Sequence, residues 1–209
     1  MKRGLFITLE GIDGSGKSTQ VNLLKNNINK ANHACYTTVE PSDGPLGAML
    51  RTVLSGRVKM DESAMAALFA ADRLDHITND VNGIRDKVIK GTTVVCDRYL
   101  LSSYAYQSVR SPLDWVIDLN RQAKTLLPVD LTIFIDVTPE VAIKRITANR
   151  SSRDLFESKE MLTAVRDKYL ELIEELGEEE NIIIVNGDQS VEDLSDEIWE
   201  KVSQLYDKN

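Results

Sequence analysis

An α/β fold, an open five-stranded parallel sheet with helices on both faces, is what the order of segments in this chain predicts. Short runs rich in Val, Ile, Thr and Phe alternate with longer amphipathic stretches along the whole length. Several of the short runs are nearly unbroken in apolar residues, as strands covered on both faces should be. Alternation of this kind favours right-handed crossovers between parallel strands.

Strands are expected at Gly4–Leu9, Ala34–Val39, Thr92–Cys96, Leu131–Val137 and Ile182–Val185. The helices between them carry recognisable ends. Asp61-Glu62 opens a long helix whose stripe of Met65, Leu68 and Phe69 reads as a core face. Ser111-Pro112 and Thr138-Pro139 each set a capping residue before a proline suited to the first turn. Ser190 and Asp193 have capping-box spacing before the last helix, and Gly177 is placed to stop the helix before it. Glu178-Glu179-Glu180 reads as a solvated corner, and the basic, polar run Arg150-Ser151-Ser152-Arg153-Asp154 as a loop between helices.

At 209 residues, 42% of them hydrophobic, the chain suits one domain with a sizeable core, residues 1–209 as a single unit. Its 25 Lys and Arg against 33 Asp and Glu leave a net charge of -8, which argues against a nucleic-acid partner. Any phosphate ligand must then be held by a few local cations. Lys2-Arg3 precede an apolar run, but Glu10 ends it short of the roughly 7–15 residues of a signal core. No stretch approaches the roughly 18–20 apolar residues of a membrane span. Cys35, Cys96, His33 and His76 are too few for a disulfide framework or a zinc site. The expectation is a cytoplasmic protein with reduced thiols and no membrane partner.

The strongest chemical signal is Gly11-Ile12-Asp13-Gly14-Ser15-Gly16-Lys17-Ser18-Thr19, which fits G-x-x-x-x-G-K-[ST] between an expected strand and helix. Glycines let successive backbone N–H groups curl around phosphate oxygens, and the helix N-terminus adds its positive dipole end. Lys17 can bridge the β- and γ-phosphates, and the Ser18 hydroxyl can join a Mg²⁺ shell. This makes the fold a P-loop NTPase type, without naming a reaction. The second signal is Asp97-Arg98-Tyr99 directly after a strand. At the carboxyl edge of a parallel sheet, Asp97 can hold Mg²⁺ or its water, and Arg98 can grip a phosphate.

With these motifs in place the sequence resembles the thymidylate kinases, a family of nucleoside-monophosphate kinases, over essentially its whole length. The P-loop matches with its internal acid Asp13. Glu40-Pro41 with Leu50-Arg51, Leu68-Phe69-Ala70-Ala71-Asp72-Arg73, and Ser102-Ser103-Tyr104-Ala105-Tyr106-Gln107 after Asp97-Arg98-Tyr99 follow in the family's order. The resemblance implies transfer of the γ-phosphoryl group of ATP to dTMP, giving dTDP, with Mg²⁺ as cofactor and a homodimer as the assembly. It implies that Phe69 stacks on thymine and that Arg73, one helical turn on, donates to a thymine carbonyl. Ser103 and Gln107 would complete the polar edge of the base. Asp13 would accept from the sugar 3′-hydroxyl, and Tyr106 would stand where a ribose 2′-hydroxyl would clash. Glu40, Pro41, Arg51 and Arg98 would surround the acceptor phosphate. The adenine would rest against the loop Asn186-Gly187-Asp188-Gln189.

Phosphoryl transfer gains from an added arginine, which members of this family supply from the P-loop or from a lid. Gly14 follows Asp13, so the P-loop offers none, and the basic segment at about 149–157 becomes the expected lid, with Arg150 or Arg153 as the finger and Arg145 just before it. Three departures from the common pattern are Leu155 where arginine is frequent, Ser42-Asp43 for paired glycines, and Ser108 for glycine. Two other readings stand beside this one. A dUMP kinase differs by one methyl contact, worth about 1–3 kcal/mol. A P-loop switch needs an Asp-x-x-Gly after a strand; Asp136 is followed by Val137-Thr138-Pro139 instead.

Overall fold

The computed structural model describes residues 2–149, 158–177 and 180–208. The strands are β1 (Phe6–Glu10), β2 (Cys35–Val39), β3 (Thr93–Asp97), β4 (Leu131–Asp136) and β5 (Ile182–Asn186). Around them run α1 (Lys17–Lys30), α2 (Pro45–Leu54), α3 (Glu62–Thr78), α4 (Ile84–Ile89), α5 (Leu100–Gln107), α6 (Leu113–Leu126), α7 (Pro139–Asn149), α8 (Lys159–Leu176) and α9 (Val191–Lys208). The strands pair in parallel in the order β2-β3-β1-β4-β5.

Side-chain alternation divides the sheet into two cores. Ile7, Leu9, Val95, Ile133 and Ile135 pack under α1 and α9 with Val21, Leu24, Leu194 and Ile198. Phe6, Val94, Cys96 and Phe134 point the other way, into the larger core beneath α3, α5, α6 and α8. The same parity sends Thr8 and Glu10 toward the second core. There Thr8 Oγ1 bonds Thr132 Oγ1 at 3.1 Å. β1 and β3 are neighbours with Leu9 beside Asp97, so the loops leaving their carboxyl ends meet.

The expected strands all form, displaced by one or two residues. β1, β3 and β5 run on to Glu10, Asp97 and Asn186, because polar ends of doubly covered strands still complete the ladder. Asp61 caps α3, accepting from the backbone of Ser63 and Ala64. Ser190 accepts from Asp193 N–H at 3.0 Å, and α8 ends at Gly177. The Ser111-Pro112 expectation is corrected by one position: α6 starts at Leu113 with Pro112 as its cap residue. Ser111 is instead tied back to the end of α5, its N–H donating to Gln107 O at 3.0 Å. Thr138 does precede α7, whose Val141 N–H reaches its hydroxyl at 3.4 Å. Asp136 forms a paired contact with Arg166 of α8, at 2.7 and 2.8 Å. Glu180 pairs with Lys124; Glu178 and Glu179 lie outside the described residues.

Candidate functional site

Two clefts open at the carboxyl edge of the sheet and meet at Asp13 and Arg98, which line both. The larger, of about 1360 Å³, is lined by residues 13–20, Asp97, Arg145, Gly187, Gln189 and Val191 among others. Its floor is the expected phosphate loop. Gly14 and Gly16 hold φ of +80° and +98°, the left-handed region that glycine enters without strain. A Cβ on Gly14 would also lie 2.5 Å from the Ala142 carbonyl oxygen of α7, so the loop and that helix touch backbone to backbone.

Lys17 Nζ donates to the Gly11 and Ile12 carbonyls at 3.0 and 2.9 Å and to Ser15 Oγ at 3.3 Å. Burial, and then the nearby Arg98 guanidinium, lower its pKa to about 8. Gly11 and Ile12 do not line the cleft; they supply these carbonyls from beneath it. Ser18 Oγ donates to Asp97 Oδ2 at 2.6 Å, bringing together the two oxygen donors expected for Mg²⁺. Arg145, from α7, reaches the carbonyls of Ser15 and Gly187 at 3.4 and 2.9 Å, joining the phosphate loop to the loop after β5.

At the junction, Arg98 sits at φ +74°, a strained value for a side chain, braced by its N–H to Leu9 O at 2.9 Å. Its guanidinium donates to Gly11 O, Ser102 Oγ, Asp13 Oδ1 and the Tyr106 hydroxyl at 2.7–3.2 Å. Tyr106 in turn donates to Asp13 Oδ2 at 3.0 Å. Burial pushes the Asp13 carboxyl up, but Arg98 and Lys17 outweigh it and hold the group below its ordinary value.

The second cleft, of about 570 Å³, is lined by Asp13, Glu40, Pro41, Leu54, Phe69, Arg73 and Arg98, with Ser102, Ser103, Tyr106 and Gln107 of α5. The stripe on α3 therefore divides: Met65 is core, while half-buried Phe69 faces the cleft. Arg73 is 1% exposed. Its Nε donates to Glu40 Oε2 at 2.8 Å, and one terminal nitrogen lies 2.7 Å from that oxygen and donates to Tyr99 O at 3.1 Å. The other terminal nitrogen donates to Asn120 Oδ1, which leaves one N–H without a partner among the described residues. Two further buried side-chain atoms of this cleft have no partner among them: Ser103 Oγ and Gln107 Oε1. Arg51 does not line this cleft. Its side chain stands at the rim, donating to the carbonyls of Pro41 and Ser42 at 3.1 and 2.5 Å.

Three supporting residues carry no signal of these roles in the sequence, because each acts through partners distant along the chain. Glu10, wholly buried, accepts from Tyr99 N–H at 2.8 Å, Ser102 Oγ at 2.5 Å and the Tyr169 hydroxyl at 3.1 Å. Burial raises its pKa despite those donors. Asn120 holds Arg73, and Asp72 accepts from Ser42 N and Oγ at 2.7 and 2.6 Å. Arg150, Arg153 and nearly all of the expected lid lie outside the described residues.

Comparison with known proteins gives one answer. A family model described as thymidylate kinase matches residues 9–198. A probable thymidylate kinase of Methanococcus aeolicus is 41% identical over 207 residues, covering 97% of this chain and 96% of that protein. A probable thymidylate kinase of Methanocaldococcus jannaschii is 40% identical over 199 residues, covering 95% of each. The thymidylate kinase of Symbiobacterium thermophilum is 34% identical over 205 residues, covering 96% of this chain and 94% of its own.

Proposed function

The chain belongs to the thymidylate kinase family, and from that premise we propose that it transfers the γ-phosphoryl group of ATP to dTMP, releasing dTDP and ADP. The observation that carries the proposal is the pair of clefts meeting at Asp13 and Arg98, one floored by the phosphate loop and the other by unpaired polar atoms around an aromatic ring. Such a layout brings two ligands end to end, which is what direct transfer between phosphates requires.

ATP lies with its phosphates on residues 13–19, whose N–H groups and helix dipole meet the charge. The phosphate oxygens take over the hydrogens that Lys17 gives to Gly11 and Ile12. Ser18 and Asp97 are hard oxygen donors and fit Mg²⁺, an ion that keeps several waters and binds phosphate. When bound, that ion neutralises charge on the transferring group. Arg98, with Arg51 from the rim, turns toward the acceptor phosphate, exchanging carbonyl and hydroxyl partners for an anion. The acceptor oxygen is already ionised, so no general base is required. The further positive charge is assigned to Arg150 or Arg153 of the basic segment at about 149–157.

Phe69 stacks on the base. The remaining Arg73 N–H meets a carbonyl of thymine, and Gln107 Oε1 accepts from its N3–H, with Ser103 beside it. Cytosine, with an amino group in place of that carbonyl, sets donor against donor. Tyr106 and Asp13 form the floor at the sugar, the tyrosine excluding a 2′-hydroxyl. The proposal includes one domain carrying both clefts and a homodimer. Ala64, Ala67 and Ala71 form an exposed stripe of small residues on α3, and Met49 is exposed on α2. It also places the enzyme in the cytoplasm, which suits its two free thiols. No described helix is long and apolar enough to cross a membrane.

ADP release from Mg-ATP, measured against dTMP, dUMP, dCMP, dGMP, UMP and AMP, tests the reading. Strong turnover with dTMP, weaker with dUMP and little with the others is expected. Turnover centred on another monophosphate would overturn the base assignment, and no transfer to any of them would overturn the kinase.

A further inference from the structure

His76 lies on α3 three residues beyond Arg73, so both side chains leave the same face of the helix. Both reach one carboxylate. Glu40, 3% exposed at the end of β2, takes Arg73 on Oε2 and His76 Nδ1 on Oε1 at 3.1 Å. A carboxylate facing a guanidinium only accepts, so Nδ1 carries the imidazole hydrogen. Nε2 lies 2.7 Å from the Thr38 hydroxyl, which pins the far side of the ring. The result is one hydrogen-bonded chain through Thr38, His76 and Glu40 that fixes the rotation of the carboxylate against which Arg73 is set.

That rotation matters because the other contacts of Arg73 do not fix it. Asn120 Oδ1 and the Tyr99 carbonyl hold the two terminal nitrogens. Among the described residues Glu40 is what holds Nε, and with a terminal nitrogen on the same oxygen it spans two of the three nitrogens of the guanidinium plane. The one N–H left for the cleft lies in that plane. A carboxylate free to turn about its last bond would let the plane tilt and the hydrogen swing away from a carbonyl on the base. The side chain of His76 is 9% exposed and does not line the cleft, so it acts only through Glu40.

We propose that His76 is a positioning residue for nucleobase recognition, orienting Glu40 so that Arg73 presents a single N–H to the base. The inference rests on the dTMP reading above. It is separable from it: wild-type enzyme that fails to phosphorylate dTMP defeats the reading, whereas the inference is judged on variants of an active enzyme.

Two isosteres divide the contacts of His76. In His76→Asn the amide nitrogen takes the place of Nδ1 and keeps the Glu40 contact while losing Thr38. In His76→Gln the amide reaches the place of Nε2 and keeps Thr38 while losing Glu40. His76→Phe loses both. KM for dTMP, KM for ATP, kcat and melting temperature are measured for all three. The expected result is a rise in dTMP KM of about tenfold for His76→Gln and His76→Phe, the scale of one lost bond to a charged group. ATP KM stays within about twofold in all three, and His76→Asn restores dTMP KM to near the wild-type value. Equal effects of Asn and Gln, unchanged dTMP KM in all three, or dTMP and ATP KM rising together would each overturn the proposal. The melting temperatures separate these outcomes from a loss of fold.

Discussion

The two clefts solve different problems with different materials. The one proposed to take ATP is built from backbone: a continuous stretch of nine residues, with glycines at positive φ and a lysine resting on the loop's own carbonyls. The one proposed to take dTMP is built from side chains contributed by α2, α3, α5 and the loops after β1, β2 and β3, and it leaves buried hydrogen-bonding atoms unpaired among the described residues. The first grips charge, which every nucleoside triphosphate carries. The second is incomplete until a base of the right donor and acceptor pattern enters it, and leaving such atoms unmet costs about 1–3 kcal/mol each. The difference teaches where discrimination resides. Affinity for phosphate is a local property of the chain, and selectivity for the acceptor is a property of the tertiary fold.

The sharpest way to break that contrast is to remove one cation from the backbone cleft. Lys17→Met should lower kcat by about 10²–10³-fold while dTMP affinity, measured by calorimetry, changes little. A comparable loss of dTMP binding would show the clefts to be one site. Next in size is the side-chain cleft. Gln107→Leu removes an unpaired buried acceptor, so the free protein should melt no lower than wild type while KM for dTMP rises about tenfold. A lower melting temperature with unchanged KM would mean that Gln107 serves the fold and not the base.

The smallest effect concerns protons. Lys17 titrates near pH 8 in this structure against 10.5 for a free lysine, so between those values the unfolded chain binds more protons than the native one. This group's contribution to stability therefore rises with pH across that window. Phosphate favours the charged form, so ATP binding above about pH 8 should take up a proton, and affinity should fall as pH climbs. Calorimetry of ATP binding in two buffers of different ionisation enthalpy reads the uptake directly. No uptake would place the Lys17 charge elsewhere.

How much of this was legible in the residues follows the same division. The phosphate loop is contiguous, so its spacing, flanking strand and helix are all present in one stretch. Asp97 and Arg98 are legible as the end of a strand. The acceptor side is only half so. Phe69, Arg73, Ser103 and Gln107 can be paired by helical spacing once a family is in view, but periodicity alone assigns Phe69 to the core with Met65 and Leu68. What braces them is not periodic at all: Glu40 meets Arg73 across 33 positions, Asn120 meets it across 47, and Glu10 meets Tyr99 across 89. Burial of a lone Glu10 at a strand end is decided by the parity of β1 against β3 and α8, which no local pattern encodes. α6 starts one residue later than its sequence signal predicts because Ser111 is consumed by the end of α5.

Gly14 has one more consequence, mechanical in kind. With the Ala142 carbonyl 2.5 Å from where its Cβ would stand, the loop that cradles phosphate is also the bearing on which α7 rests. A side chain there would act as a wedge and lever that helix outward, carrying Arg145 with it. The bare backbone at position 14 thus sets the height at which Arg145 stands over the cradle, and movement of the cradle is movement of that cation.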